Sequence, residues 1–351
     1  MDLKGLEESL AGGRRLLVYL HDNPDPDCLA AGWLLASVGK SFGLKPVLVY
    51  GGRLGRAENR VMVKLLKIPL RSLEKSRPRL LKSDRFAMVD SQPGAGNNSF
   101  PHQSRRCHVV IDHHPSKTRP TADFVDIQPD MGCCTTMVLA YHQALGLELS
   151  ADLATAVAYA IISETQDMGR ETTRADQEAY MQVFPKVRLR VLGSIRHPVR
   201  SRAYFQNVAR AMSRVMVGRH TCVCHMGPVE SAEVVAEVAD LFAAMERISW
   251  CMVSGLVPGQ IHISMRSRRP EARAERIMRQ LLGRQGKGGG HGMIAGGLMS
   301  CACLEDYPER AKYLTERFLK LLGRRQPERL HLLLEEVADC ANPILARAEP
   351  E

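Results

Sequence analysis

Long hydrophobic runs, aromatic side chains and an excess of acid are what this sequence is short of. Its longest apolar stretch, around 153–162, falls well below the roughly 20 residues that cross a bilayer, so no membrane span is expected. The opening Met1-Asp2-Leu3 has neither the basic nor the apolar region of a secretory signal, and the expectation is a cytoplasmic protein. Aromatic residues make up 5% of the chain and form no evident series on which the bases of a long single strand could stack. No internal repeat is evident. The ten cysteines do not form the framework of a small secreted domain, because they lie in or beside apolar segments. Cys133-Cys134, Cys222-Val-Cys224 and Cys301-Ala-Cys303 read as reduced core thiols. A zinc site from His220, Cys222, Cys224 and His225 is disfavoured, since Cys-x-Cys on a strand lacks the two-residue spacing of a knuckle.

What is present is ordinary globular composition, 45% hydrophobic and 25% charged over 351 residues, which is enough for two domains with separate cores. The formal net charge of +10 favours a polyanionic partner such as nucleic acid, although the arginine clusters at 105–106, 266–273 and 324–325 also suit solvated faces.

The stretch that organises the chain is His21-Asp22-Asn23-Pro24-Asp25-Pro26-Asp27, which follows the short apolar run 16–20. That run is bounded by Gly12-Gly13 and reads as a buried parallel strand. Pro24 and Pro26 forbid a helix through the loop and hold Asp25 and Asp27 on a stiff turn, a good place for a metal; alone, the loop equally suits a solvated helix cap. Helical spacing over 28–39, a strand at 45–50 ending at Gly51-Gly52, and a helix at 56–67 follow. Two further short apolar strands, 86–90 and 108–112, each end in an aspartate. Alternation of strand and helix predicts a parallel α/β sheet. In open parallel sheets ligands bind outside the carboxyl ends of the strands, and those ends carry His21, Asp25, Asp27, Asp90 and Asp112-His113-His114. Oxygen and imidazole donors without thiolate suit manganese or magnesium, and two such ions can clamp a phosphoryl group and generate hydroxide from bound water.

Asp130 to Thr136 predicts a turn and hydroxyl N-caps for a helix running to about residue 144. The buried helix 153–162 leads into the polar run 163–170, where Glu164 and Asp167 compete to supply one more acidic ligand. Residues 172–216 read as a basic helical connector. A second domain is expected from residue 217, with strands at 220–225, 251–256 and 260–265 and helices at 231–247 and 272–282. It continues into the dense glycines of 286–297, read as a loop whose backbone approaches a phosphate with His291 beside it. A short amphipathic helix at 328–338 and a tail close the chain.

These residues resemble the DHH phosphoesterase family, named for its Asp-His-His, here Asp112-His113-His114. His21 to Asp27 looks like the family's first motif, Val89-Asp90 its second, and Ile111 to His114 its third. Ser264-Met-Arg266-Ser267 with Gly288-Gly289-Gly290-His291 resembles the DHH-associated C-terminal domain of the oligoribonuclease and RecJ-like branch. The resemblance, over about 14–320, implies two α/β domains, 1–171 and 217–322, with the active site in the cleft between them. It implies one metal held by His21, Asp25 and Asp90 and a second by Asp27, Asp90, His113 and an acid of the fourth motif. Asp112 would orient the neighbouring histidine, and His114 would lie by the scissile phosphate. Arg266, Ser267, Gly288, Gly289, Gly290 and His291 would hold substrate phosphates. The fourth motif departs from the family pattern, with Glu164 before Thr165 where Asp is usual; Glu164 is placed first and Asp167 second. The implied cofactors are two Mn2+, with Mg2+ as the substitute. The implied activity is hydrolysis of short oligoribonucleotides and of 3′-phosphoadenosine 5′-phosphate, with a short RNA or nucleotide as partner, a homodimer as the assembly and no membrane. The alternatives are a cyclic dinucleotide phosphodiesterase, a RecJ-like single-strand exonuclease and a non-catalytic nucleotide sensor.

Overall fold

Strand propensity and apolar continuity build the first sheet. In the computed structural model, which describes residues 1–116, 119–269, 271–323 and 330–334, a short helix α1 (Leu3–Leu10) precedes β1 (Arg15–Tyr19). Then come α2 (Pro26–Ser41), β2 (Lys45–Tyr50), α3 (Ala57–Leu66), β3 (Leu70–Ser72), β4 (Asp84–Val89), β5 (Cys107–Asp112) and β6 (Ala122–Ile127). Four helices follow: α4 (Cys134–Ala144), α5 (Ala151–Glu164), α6 (Arg174–Val183) and α7 (Leu189–Arg196). The six strands are all parallel in the order β3-β2-β1-β4-β5-β6. Successive strands are laid outward from β1 on one side and from β4 on the other, so the order reverses between these two. At such a switch point the loops leave in opposite directions and open a crevice at the carboxyl ends. Helix α2 lies hard against β1: a Cβ on Gly32 would sit 2.5 Å from Leu20, and one on Gly39 would sit 2.4 Å from Leu16.

The chain divides into two compact units at Val199/Arg200. The stretch 172–216 is accordingly shared between them, with α6 and α7 in the first and α8 (Arg202–Met212) in the second. In the second unit follow β7 (Val215–Val217), β8 (Thr221–Pro228), α9 (Ala232–Ala243), β9 (Trp250–Val257), β10 (Gln260–Ser267), α10 (Ala274–Leu282), β11 (Gly286–His291), β12 (Ile294–Ser300), α11 (Tyr307–Leu321) and β13 (His331–Leu332). These strands form a mixed sheet in the order β11-β12-β10-β9-β8-β7-β13, parallel only between β8 and β9. Alternation along each strand sorts the two faces. Val223, Met252, Ile263 and Met265 pack with α10 and α11, whereas Cys222, Cys224, Cys251 and Val253 pack with α9.

The glycine-rich stretch 286–297 is not a loop; it is the antiparallel edge hairpin β11–β12. The glycines answer to packing. A Cβ on Gly288 would meet Met278 at 2.6 Å and Leu282 at 2.9 Å, and one on Gly297 would meet the same two side chains at 2.6 Å, so α10 closes on bare backbone. Helix α2 begins two residues earlier than its spacing predicts, because Pro26 takes the first helical position, where its missing N–H costs nothing. Strands β3 and β6, both on sheet edges or next to them and poorly buried, escape the apolar pattern. Most of the helix expected at 328–338 falls outside the described residues; within them, His331 and Leu332 pair with β7.

Candidate metal centre

Five side chains converge beyond the carboxyl ends of β1, β4 and β5. His21 leaves β1, and its Nδ1 lies 3.0 Å from the Asp22 carbonyl, a donor bond that turns Nε2 the other way. That Nε2 sits 3.6 Å from Asp25 Oδ2 and 3.6 Å from Asp90 Oδ2. His113, from the end of β5, is built alike. Its Nδ1 is 3.1 Å from the Met131 carbonyl, and its Nε2 is 3.3 Å from Asp90 Oδ1 and 3.8 Å from Asp27 Oδ2. A histidine whose Nδ1–H donates to a carbonyl presents an Nε2 lone pair, the second-sphere arrangement of metal-binding imidazoles. Asp90 therefore faces His21 with Oδ2 and His113 with Oδ1, and His114 Nδ1 lies 3.4 Å from the same Oδ1. Asp90 is 3% exposed, its φ is +54°, a left-handed conformation that aspartate tolerates, and its Oδ1 has no hydrogen-bond partner.

The loop is fastened on several sides. Asp25 caps α2 by accepting from the Cys28 N–H at 3.0 Å, and Asn59 Nδ2 donates to the Pro24 carbonyl at 3.0 Å. Asp27 lies in the first turn of α2 and reaches the start of α4. It accepts from the N–H groups of Cys134 at 2.8 Å and Thr135 at 2.7 Å, and Cys133 Sγ lies 3.0 Å from its Oδ1. This corrects the expected hydroxyl capping: Cys133 is the N-cap residue of α4 and makes no side-chain cap bond, and a carboxylate from the first turn of the neighbouring helix α2 satisfies the orphan amides instead. Sequence reasoning missed that link because it joins residues more than a hundred positions apart.

Asp112, 1% exposed, accepts from His114 Nδ1 at 2.9 Å and the His114 N–H at 3.1 Å on one oxygen, and from Gln92 Nε2 at 2.8 Å on the other. The histidine it orients is thus His114, whereas the immediately adjacent His113 is oriented by the Met131 carbonyl. Gln92 has no sequence signal beyond following Asp90 and was not anticipated. Glu164 is the last residue of α5 and shares the field of Asp25, Asp27, Asp90 and His113. Asp167 points elsewhere, pairing with Arg196 at 2.7 Å.

Electrostatics define what the cluster needs. Burial and then repulsion from Asp25, Asp27 and Asp90 push the Glu164 carboxyl up to about 8, against the pull of His113. Burial followed by the Asp27 charge raises Asp90 to about 6. Burial alone would lower His113, but its bond to Asp90 and the charges of Asp90, Asp27 and Glu164 carry it up to about 11; His114, held mainly by Asp112, rises to about 9. Buried carboxylates that retain protons, beside imidazoles that acquire them, mark a site short of positive charge. The orphaned Asp90 oxygen, the two outward lone pairs and the acid excess fit divalent cations. Among the described residues, the groups whose donor atoms lie within 4.8 Å of one another are Asp90 with His113 and His114, and His21 with Cys28 and Asp90.

In the second unit, Arg266 and Ser267 point to opposite faces of β10. The Arg266 guanidinium is nearly buried and tied to Asp240, to Ser264 Oγ at 2.8 Å and to the Met265 carbonyl at 3.0 Å. Ser267 Oγ bonds the Ser249 carbonyl at 3.1 Å. Register places Gly289 beside Gly296 and Ser264, and His291 beside Ile294 and Arg266. Gly289 and Gly296 are exposed, and a Cβ on Gly289 would meet nothing within 4 Å. The four residues considered for zinc have separate partners: His220 lies 3.1 Å from the Arg247 carbonyl through Nδ1, His225 bonds Ser254 and Thr315, and Cys222 and Cys224 are buried against α9 and α8.

A parallel α/β unit with a buried acid-imidazole cluster at its switch point, joined to a mixed-sheet unit, is the class that the fold defines. Residues 15–161 match the DHH family N-terminal domain, so this part of the chain is a domain of that family. An uncharacterized protein of Methanocaldococcus jannaschii is 30% identical over 277 residues, covering 79% of this chain and 56% of that one. A probable manganese-dependent inorganic pyrophosphatase of Exiguobacterium sp. is 28% identical over 162 residues, covering 43% of this chain and 48% of its own. The chain thus spans about half the length of the curated relatives it matches. An exopolyphosphatase-related protein from Bacteroides fragilis has the same fold, with a TM-score of 0.73 at 12% identity, covering 92% of this chain and 97% of that one. Among the described residues, no helix is long and apolar enough to cross a membrane.

Proposed function

We propose that this protein is a metal-dependent phosphoesterase that hydrolyses short oligoribonucleotides and 3′-phosphoadenosine 5′-phosphate, using two manganese ions. The observation that carries the reading is Asp90, a buried carboxylate aimed with one oxygen at His21 and the other at His113 and His114, its Oδ1 lacking a hydrogen-bond partner. His21, Asp25 and Asp90 would hold one cation, and Asp27, Asp90, His113 and Glu164 the other. Bound there, the cations supply Lewis acidity at the phosphoryl oxygens and lower the pKa of water. The chain's own residues do the rest. His114, kept cationic by Asp112, donates to the phosphate and offsets the charge that builds up as the bond to the leaving oxygen breaks. Asp112, itself locked by Gln92, fixes the ring that makes this contact. The bare backbone of Gly289 and Gly296 on the edge hairpin is open to a substrate phosphate, and the net charge of +10 favours polyanions. A homodimer in the cytoplasm is the assembly this reading carries.

The test is release of mononucleotide from labelled di- to pentanucleotides by wild type and Asp90→Ala, with manganese, magnesium or chelator. Manganese-dependent turnover that the substitution abolishes is the expected result; no release from any of these RNAs by metal-loaded wild type would refute the substrate claim. Pyrophosphate belongs in the same panel, because the Exiguobacterium relative is named for that phosphoanhydride.

A further inference from the structure

Cys28 occupies an unusual place for a core thiol. It is the third residue of α2, 0% exposed, and its Sγ lies 3.4 Å from the backbone N of His21 and 3.7 Å from the Val89 carbonyl, the residue before Asp90. Its sulfur, a ring nitrogen of His21 and a carboxylate oxygen of Asp90 all lie within 4.8 Å of one another. Donors around one tetrahedral cation stand roughly 3.5 Å apart, given metal bonds of about 2.0–2.3 Å, so small side-chain adjustments bring all three onto a single ion. The three donors come from three segments that the sheet already fixes: the end of β1, the first turn of α2 and the end of β4. On this side Asp90, 3% exposed, turns Oδ2 to His21 Nε2 at 3.6 Å, so the carboxylate and the imidazole already face one another where the sulfur stands. A thiol with no role beyond filling space needs no such company.

We propose that Cys28 is a sulfur donor to the cation held by His21 and Asp90, so that, of the two positions given to manganese above, this one takes instead a thiophilic divalent metal of the zinc and cadmium class in preference to a hard, oxygen-seeking one. The inference rests on the reading that His21 and Asp90 hold metal. Imidazole, thiolate and carboxylate together shift a site from the manganese and magnesium range toward zinc. The two metal positions are then chemically unequal: the one at Asp27, His113 and Glu164 has oxygen and nitrogen donors and keeps the preference for manganese.

The experiment uses the full-length, metal-stripped protein with Cys303→Ser and Cys340→Ser, which removes an exposed thiol and one near the C-terminus. Cadmium is titrated while the ultraviolet cadmium–thiolate charge-transfer band is followed, and manganese is titrated separately by electron paramagnetic resonance. Cys28→Ser, Cys28→Ala and Cys133→Ser are compared, the last because Cys133 Sγ touches Asp27. The parent should develop the band at one equivalent and Cys133→Ser should retain it. Both Cys28 variants should lack it and lose about 10–100-fold in cadmium affinity, with manganese binding at the second position unchanged. A band that survives in Cys28→Ser, or equal cadmium affinity without one, overturns the proposal while leaving the metal-site reading in place. Failure of the parent to bind either metal removes that reading and the proposal with it. Serine nearly preserves the thiol's volume, so matching circular dichroism between Cys28→Ser and the parent excludes misfolding as the cause.

Discussion

At the scale of single residues, the site is organised by charge that the fold concentrates and cannot itself neutralise. Asp90 is the sharpest case, since burial and Asp27 raise its carboxyl to about 6. In the metal-free protein above that pH, the ionised group is therefore a source of instability. Asp90→Asn should abolish binding of at least one manganese ion and reduce turnover by at least about 10³-fold, yet raise the melting temperature of the stripped protein by a few degrees. Differential scanning calorimetry with and without metal reads both effects, and a lower melting temperature for the stripped variant would contradict the electrostatic account. Asp112 is of a different kind, because its carboxyl is held below the usual range, against the upward push of burial, by His114 and Gln92. On the proposed function, Asp112→Asn should leave metal stoichiometry intact while lowering kcat about 10–100-fold, since it disturbs a ring that would not be a ligand. The residues were legible in sequence wherever a strand end delivered them directly: His21, Asp25, Asp90 and the pair His113-His114 needed only the parallel-sheet reading. What sequence could not supply was each side chain's partner. Asp27 spans to the N-terminus of α4, and Asp112 chooses His114, because hydrogen bonds between distant segments leave no trace in local spacing.

At the scale of elements, the hairpin of β11 and β12 shows how one composition serves two ends. Dense glycine reads in sequence as a phosphate loop, but the segment is paired over six positions and four of its glycines face steric demands. Gly286, Gly288, Gly290 and Gly297 leave no room for a Cβ, whereas Gly289 opens onto solvent. Composition alone cannot separate the two, since the difference lies in which face α10 covers. The two positions therefore part under substitution. Gly288→Ala should cost about 1–3 kcal/mol through overpacking against Met278 and Leu282, seen in chemical denaturation. Gly289→Ala should leave stability within about 0.5 kcal/mol and, on the proposed function, raise KM for a dinucleotide without changing metal affinity. Equal destabilisation by the two would mean that α10 does not define the packed face. The helices of the first unit were more readable, because α2, α3 and α5 carry apolar spacing with clear punctuation; β3 and β6 were not, being short and half-exposed.

At the scale of the whole molecule, the two units have separate hydrophobic cores and separate vulnerabilities, and the second carries its own acid-sensitive element. His225 on β8 places Nδ1 2.6 Å from Ser254 Oγ and Nε2 2.7 Å from Thr315 Oγ1, and Ser254 continues to the Tyr307 hydroxyl at 3.0 Å. Burial holds this imidazole down at about 4, well below the ordinary 6.5. Between those two values the unfolded chain binds a proton that the folded unit refuses, so stability is complete above about pH 6.5 and drains away as pH falls toward 4. The loss is on the order of 2–3 kcal/mol, or roughly 5–10 °C in the melting temperature of a unit of this size. The sequence provides a clean reporter, because its two tryptophans fall one to each unit, Trp33 on α2 and Trp250 on β9. In a Trp33→Phe background, emission follows the second unit alone. Melting of that protein should shift downward between pH 7 and pH 4.5, while the same protein with His225→Gln should start lower at pH 7 and change less, since glutamine keeps one hydrogen bond but takes up no proton. Parallel pH profiles for the two would show that the acid sensitivity of this unit lies in groups other than His225.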